Sequence, residues 1–84
     1  MRTALTIAGS DPSGGAGIQS DLTTFRDFGV LGLSAIASLT AQNFTTVDAR
    51  MSVPTAFLIK QIDALLGEFR FNAVKTGMLG SAEN

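Results

Sequence analysis

The 84-residue sequence contains neither cysteine nor histidine. Without thiols it can build no disulfide framework and no thiolate metal site. Without imidazole, a Ser-His-Asp triad and a histidine-bound zinc are excluded by inventory. Positive charge is sparse and scattered over Arg2, Arg26, Arg50, Lys60, Arg70 and Lys75, and the net charge is -1. No basic stripe exists to neutralise the phosphates of a duplex, so no nucleic-acid partner is expected. No apolar run approaches membrane-spanning length. The Met1-Arg2-Thr3 opening leads into only five apolar-run residues before a glycine, which is too short for a signal peptide. A soluble, cytoplasmic chain with no membrane partner is the expectation.

What the chain has is apolar character. Hydrophobic residues make up 45% and charged residues 15%, which excludes the low-hydrophobicity composition of a disordered chain. The length allows one small domain with a modest buried fraction. A mean hydropathy of +0.31 is high for so small a free-standing unit. Part of its surface therefore expects a cover.

Ala4–Ala8 is a short apolar run closed by Gly9 and reads as a buried strand. Gly9–Gly17 is a loop on its glycine, proline and aspartate content. From about Ala16, Ile18, Leu22, Phe25 and Phe28 recur at helical spacing, and Gly29 suits a left-handed stop. Leu33–Leu39 reads as a second buried strand, and the weak alternation over Thr45–Val53 as a third. Pro54 suits the first position of a helix, with Ser52 nearby as a cap. Leu58, Ile59, Ile62, Leu65, Leu66 and Phe69 then form one apolar face. Asn72–Gly77 reads as a further strand. This alternation predicts an α/β fold with a mostly parallel sheet. Such a sheet needs helices on both faces, and two helices cover four strands poorly, so the domain reads as incomplete.

Gly9-Ser-Asp-Pro-Ser-Gly-Gly-Ala-Gly17 lies between a strand and a helix, where backbone N–H groups and the helix dipole favour an anion or polar ligand group. A P-loop would place Lys and Ser/Thr where Gly15 and Ala16 stand, so that reading fails. A dinucleotide fingerprint would place Gly or Ala where Ser20 stands, and no acidic residue follows at the required distance. A purely structural strand-to-helix turn explains the glycines equally well on spacing alone.

The string Ala4-Leu-Thr-Ile-Ala-Gly-Ser-Asp-Pro-Ser-Gly-Gly-Ala-Gly-Ile-Gln-Ser-Asp-Leu22 resembles the opening of the hydroxymethylpyrimidine/phosphomethylpyrimidine kinases. Leu39-Thr-Ala-Gln-Asn43 and Ala73-Val-Lys-Thr-Gly-Met-Leu-Gly80 resemble the same family in order and spacing. The resemblance implies a ribokinase-like, three-layer α/β/α fold, of which residues 1–84 would be the N-terminal, substrate-binding part of a single kinase domain. It implies ATP-dependent phosphorylation, with magnesium, of 4-amino-5-hydroxymethyl-2-methylpyrimidine and its monophosphate for thiamine biosynthesis, and a homodimeric parent. By position, Gln42 would read the aminopyrimidine edge, since an amide offers both donors and an acceptor. Asp21 would lie near the hydroxymethyl group, Gly9 and the Thr40 backbone would line the pocket, and Met78 would pack on the ring. Blander roles stay open: a solvated first-turn carboxylate for Asp21, a loop-backbone partner for Gln42, core filler for Met78. Lys75 reads as a strand lysine with its head in solvent.

The family's catalytic aspartate and nucleotide pocket lie toward the C-terminus, and neither motif occurs here. The resemblance therefore assigns no catalytic residue and no metal ligand, and ATP would be held mainly outside these residues. The chain alone is expected to be inactive. A pyridoxal kinase-like enzyme of the same fold, or a non-catalytic ligand-binding or self-associating module, are the alternatives.

Overall fold

The structure, a computed structural model, describes residues 2–77. Its elements are β1 (Thr3–Ser10), α1 (Gly17–Asp27), β2 (Leu31–Gln42), β3 (Val47–Ser52), α2 (Thr55–Leu66) and β4 (Ala73–Thr76). The strands form one sheet in the order β3-β2-β1-β4. β1 runs parallel to both β2 and β4, and only β3 is antiparallel, joined to β2 as a hairpin. The mostly parallel expectation holds.

Strand alternation sorts the two faces. Thr6 meets α1 through Asp21. The core on the opposite face combines Leu5, Ala35 and Ala37 with Leu58 of α2, flanked by Ile7, Leu33, Val53, Ile62, Leu65 and Phe71. The helices thus lie on opposite sides, giving three layers. Burying a leucine such as Leu5 or Leu58 contributes about 1.5–3 kcal/mol. On the α1 side Gly32 leaves room for the helix, since a Cβ there would sit 2.8 Å from Leu22 Cδ2 and 3.0 Å from Phe25 Cδ2.

Several boundaries differ from the sequence pattern. β2 is longer than the apolar run Leu33–Leu39, because pairing with β1 at one end and β3 at the other extends it both ways. Phe28, expected on the inner face of α1, is its C-cap and is 80% exposed. Gly29 follows at φ 70°, the left-handed stop its position implied. Pro54 occupies the cap position of α2 rather than its first turn and makes no side-chain cap bond, while Ser52 ends β3. Of the apolar α2 residues, Leu58 is buried and Ile62 and Leu65 join the core, whereas Ile59 and Leu66 face outward.

β2 extends past its hairpin partner, and its free edge is met by a side chain. The Ile36 N–H donates to Gln61 Oε1, and Gln61 Nε2 donates to the Ile36 carbonyl, both at 2.9 Å. A helix amide thus stands in for a neighbouring strand. Every residue of β3 and of β4 is exposed, which fits a sheet that two helices cover only over its centre.

Candidate functional site

The chain leaves β1 on one side to form β2 and returns on the other to form β4, so the carboxyl end of β1 lies at a switch point of the sheet. Crevices in α/β folds open at such points. Here a cleft of about 180 Å³ is bounded by the ends of β1, β2 and β4 and by the start of α1.

Glycine is required at two points of its wall. Gly17 has φ 61°, and a Cβ on it would run into the Gly9 carbonyl oxygen. A Cβ on Gly9 would come 2.6 Å from Ser38 Oγ, beside the irregularity where the β1–β2 register shifts. Between them the loop is tied by Asp11. Its carboxylate accepts from the Ser13 amide at 2.9 Å, the Ser13 hydroxyl at 2.6 Å and the Ala16 amide at 2.9 Å. The Ser13 hydroxyl, joined by the amides of Ser13, Ala16 and Gly15, holds the Asp11 carboxyl below its ordinary 3.8 against the opposing effect of burial. Gln19 closes the loop from the helix: its Oε1 accepts from the Asp11 amide at 2.8 Å and its Nε2 donates to Ser10 Oγ at 2.7 Å.

Asp21 is buried, unlike the solvated first-turn carboxylate left open above. Oδ2 accepts from the Thr6 hydroxyl at 2.6 Å, and Oδ1 pairs with Lys75 Nζ at 2.5 Å. Both oxygens are engaged, so the geometry suits a fixed negative charge better than a free base. Lys75 corrects the sequence reading. Its side chain is 54% exposed, yet its ammonium spans from β4 to α1 and lines the cleft.

Across the cleft, Thr40 and Gln42 alternate out of the end of β2 on one face. Thr40 Oγ1 lies 2.9 Å from the Ser10 carbonyl oxygen and donates to Gln42 Oε1 at 2.6 Å. The Thr40 side chain, rather than only its backbone, therefore steadies the glutamine. Gln42 sits where it does because the hairpin turns directly after it. Asn43 Oδ1 accepts from the amides of Thr45 and Thr46, each at 2.9 Å. In the same wall, Ser38 Oγ is buried and has no hydrogen-bond partner among the described residues.

Four of the expected residues, Gly9, Asp21, Thr40 and Gln42, thus surround one cleft. Met78 lies outside the described residues. Thr6, Asp11, Ser38 and Lys75 were missed as site residues. Asp11 alone had a local signal, an aspartate two residues before a serine in a glycine loop, which is the pattern of an Asx turn. Among the described residues, no three metal-ligating side chains gather, and the cleft-lining cation is already paired. These residues do not fit a magnesium–nucleotide site.

A cleft of this size, with an amide and hydroxyl at one side and an ion pair at the other, suits a small polar ring. The phosphomethylpyrimidine kinase family model matches residues 11–84. The putative hydroxymethylpyrimidine/phosphomethylpyrimidine kinase 2 of Schizosaccharomyces pombe is 52% identical over 83 residues, covering 99% of this chain and 15% of that protein. The hydroxymethylpyrimidine/phosphomethylpyrimidine kinase of Bacillus subtilis is 51% identical over 80 residues, covering 95% of this chain and 30% of that protein. The crystal structure of phosphomethylpyrimidine kinase from Clostridium difficile superposes with a TM-score of 0.91 at 47% identity, covering 96% of this chain and 35% of that one. The chain thus spans less than a third of either curated relative, and its layered sheet is part of their ribokinase-like fold. With a family match over nearly the whole sequence and a shared architecture, the chain belongs to the phosphomethylpyrimidine kinase family.

Proposed function

We propose that these residues form the pyrimidine-binding part of a kinase that phosphorylates 4-amino-5-hydroxymethyl-2-methylpyrimidine and then its monophosphate, in thiamine biosynthesis. One observation carries the reading: Gln42, with Thr40 beside it, faces Asp21 and Gly9 across a cleft of ring size. The Thr40 hydroxyl occupies one lone pair of Gln42 Oε1. The second lone pair and the amide N–H groups are left to match an amino group beside a ring nitrogen. Asp21 and Lys75 lie at the opposite side, where the substituent to be phosphorylated would sit. Gly9 lets the ring approach the backbone, and Met78 would cover it.

ATP is the phosphate donor in this reading. ATP and magnesium would be held by parts of the protein beyond these residues, so the 84 residues alone would not catalyse transfer. The protein would act as a cytoplasmic homodimer. Exposed apolar residues Val47 and Met51 on β3 support the second copy, and no described helix is long and apolar enough to cross a membrane.

Calorimetric titration of the natural-length protein with the aminopyrimidine tests the reading. Saturable 1:1 binding, weakened at least about tenfold by Gln42→Ala, is the expected result, since the substitution leaves the amino and ring-nitrogen groups unpaired. Binding of pyridoxal in place of the aminopyrimidine would assign the cleft to a pyridoxal kinase-like enzyme. Binding of neither would leave a non-catalytic module.

A further inference from the structure

We propose that Lys75 determines how well the cleft takes the phosphorylated substrate relative to the alcohol, by sharing its ammonium between Asp21 and the substrate phosphate. The proposal rests on the aminopyrimidine reading above and adds a residue that the sequence pattern left without a role. Among the described residues lining the cleft, Lys75 is the sole cation, facing the carboxylates of Asp11 and Asp21. Asp11 is consumed by the loop it ties together.

The two partners of the ion pair are not equally mobile. The Asp21 side chain is 11% exposed and is anchored from behind by the buried Thr6 hydroxyl, whereas the Lys75 side chain is 54% exposed. A lysine head is a compact charge on a flexible four-carbon stem with three donors. It can keep one N–H on Asp21 and turn another into the cleft. A phosphate monoester brings roughly 1.5–2 negative charges at neutral pH. Next to an unneutralised Asp21 that charge would be repelled, and Lys75 both screens the carboxylate and donates to the phosphate. The neutral alcohol makes no such demand. Lys75 is in this sense a specificity-determining residue, and it acts on the ratio of the two affinities.

The test is calorimetric titration of the natural-length protein, without nucleotide, with the alcohol and with the monophosphate. Wild type, Lys75→Gln, Lys75→Arg and Asp21→Asn are compared. One charge-assisted hydrogen bond corresponds to roughly ten- to a hundredfold in affinity. Lys75→Gln is therefore expected to move the ratio against the monophosphate by about tenfold or more, and Lys75→Arg to recover most of that shift. Asp21→Asn is expected to move the ratio the other way, because it removes the repelling carboxylate and frees the ammonium. A Lys75→Gln ratio equal to wild type, or an Asp21→Asn shift of the same sign as Lys75→Gln, overturns the proposal. If Lys75→Gln does not fold, the sign of the Asp21→Asn shift decides alone. A wild type that binds neither compound overturns the aminopyrimidine reading and this proposal together, whereas binding both with an unmoved ratio overturns this proposal only.

Discussion

Thr6→Val exchanges the hydroxyl that anchors Asp21 for a methyl group of nearly the same shape. Thr6 is fully buried, and its hydroxyl donates at 2.6 Å to Asp21 Oδ2. A buried hydrogen bond to a charged acceptor contributes about 1.5–3 kcal/mol. The added methyl returns about 0.8 kcal/mol of apolar burial. The expected net cost is about 1–2 kcal/mol. In an Asp21→Asn background the acceptor is neutral, and the same bond contributes only about 0.5–1.5 kcal/mol. There Thr6→Val should cost well under 1 kcal/mol by the same subtraction, leaving a coupling of about 1 kcal/mol between the two sites. Equilibrium urea unfolding of wild type, both single variants and the double variant, followed by circular dichroism, measures it. A constant m-value keeps the four curves comparable. Costs of Thr6→Val that agree within about 0.3 kcal/mol in the two backgrounds, as independent sites would give, refute the anchoring role.

Two left-handed glycines of the loop separate backbone strain from steric exclusion. Gly14→Ala, at φ 80° with open space around the new Cβ, should cost about 1–2 kcal/mol, whereas Gly17→Ala must also displace the Gly9 carbonyl and should cost clearly more; urea midpoints rank them. Gln61→Leu strips the Ile36 amide and carbonyl of their partner and should destabilise by about 1–3 kcal/mol, with faster hydrogen exchange at the Ile36 amide. Asp11 sets a pH dependence. Its carboxyl is lowered from 3.8 chiefly by the Ser13 hydroxyl, so its stabilising contribution is complete above 3.8 and is lost as pH falls through the lowered value. Urea midpoints of wild type and Asp11→Asn should differ by a constant amount above that pH and converge below it; a gap that widens on acidification contradicts the sign.

Much of the architecture was legible because it is written locally. Apolar runs separated by glycine clusters marked β1, β2 and α1, and Gly29 marked the end of α1. The features that failed depend on partners distant in sequence. Lys75 looked solvated because its partner is 54 residues away and meets it only once β4 lies beside β1. Gln61 carries no local mark of its work on the β2 edge. Phe28 fitted the helical spacing, but the helix ends one residue before it and its ring is left exposed. Gly9, Asp21, Thr40 and Gln42 were named through family resemblance. Their spacing alone left the glycine loop open between ligand site and simple turn.

The return of the chain from β2 across to β4 also fixes when the cleft can come into being. β1 and β4 meet in the pairs Ala4–Ala73 to Ile7–Thr76, and Thr3 bonds Asn72 across 69 positions of sequence. Closing so long a loop carries its entropic cost before any contact repays it, and contacts of this range slow folding. The glycine loop and the Thr40–Gln42 pair can form on the β1-α1-β2-β3 segment, but Lys75 joins them only with β4. On a ribosome emitting the N-terminus first, these walls of the cleft come together only after β4 has emerged and docked. A small molecule that touches β1, β2 and β4 at once would favour that docking by mass action, and so act as a pharmacological chaperone for one strand of its own binding site.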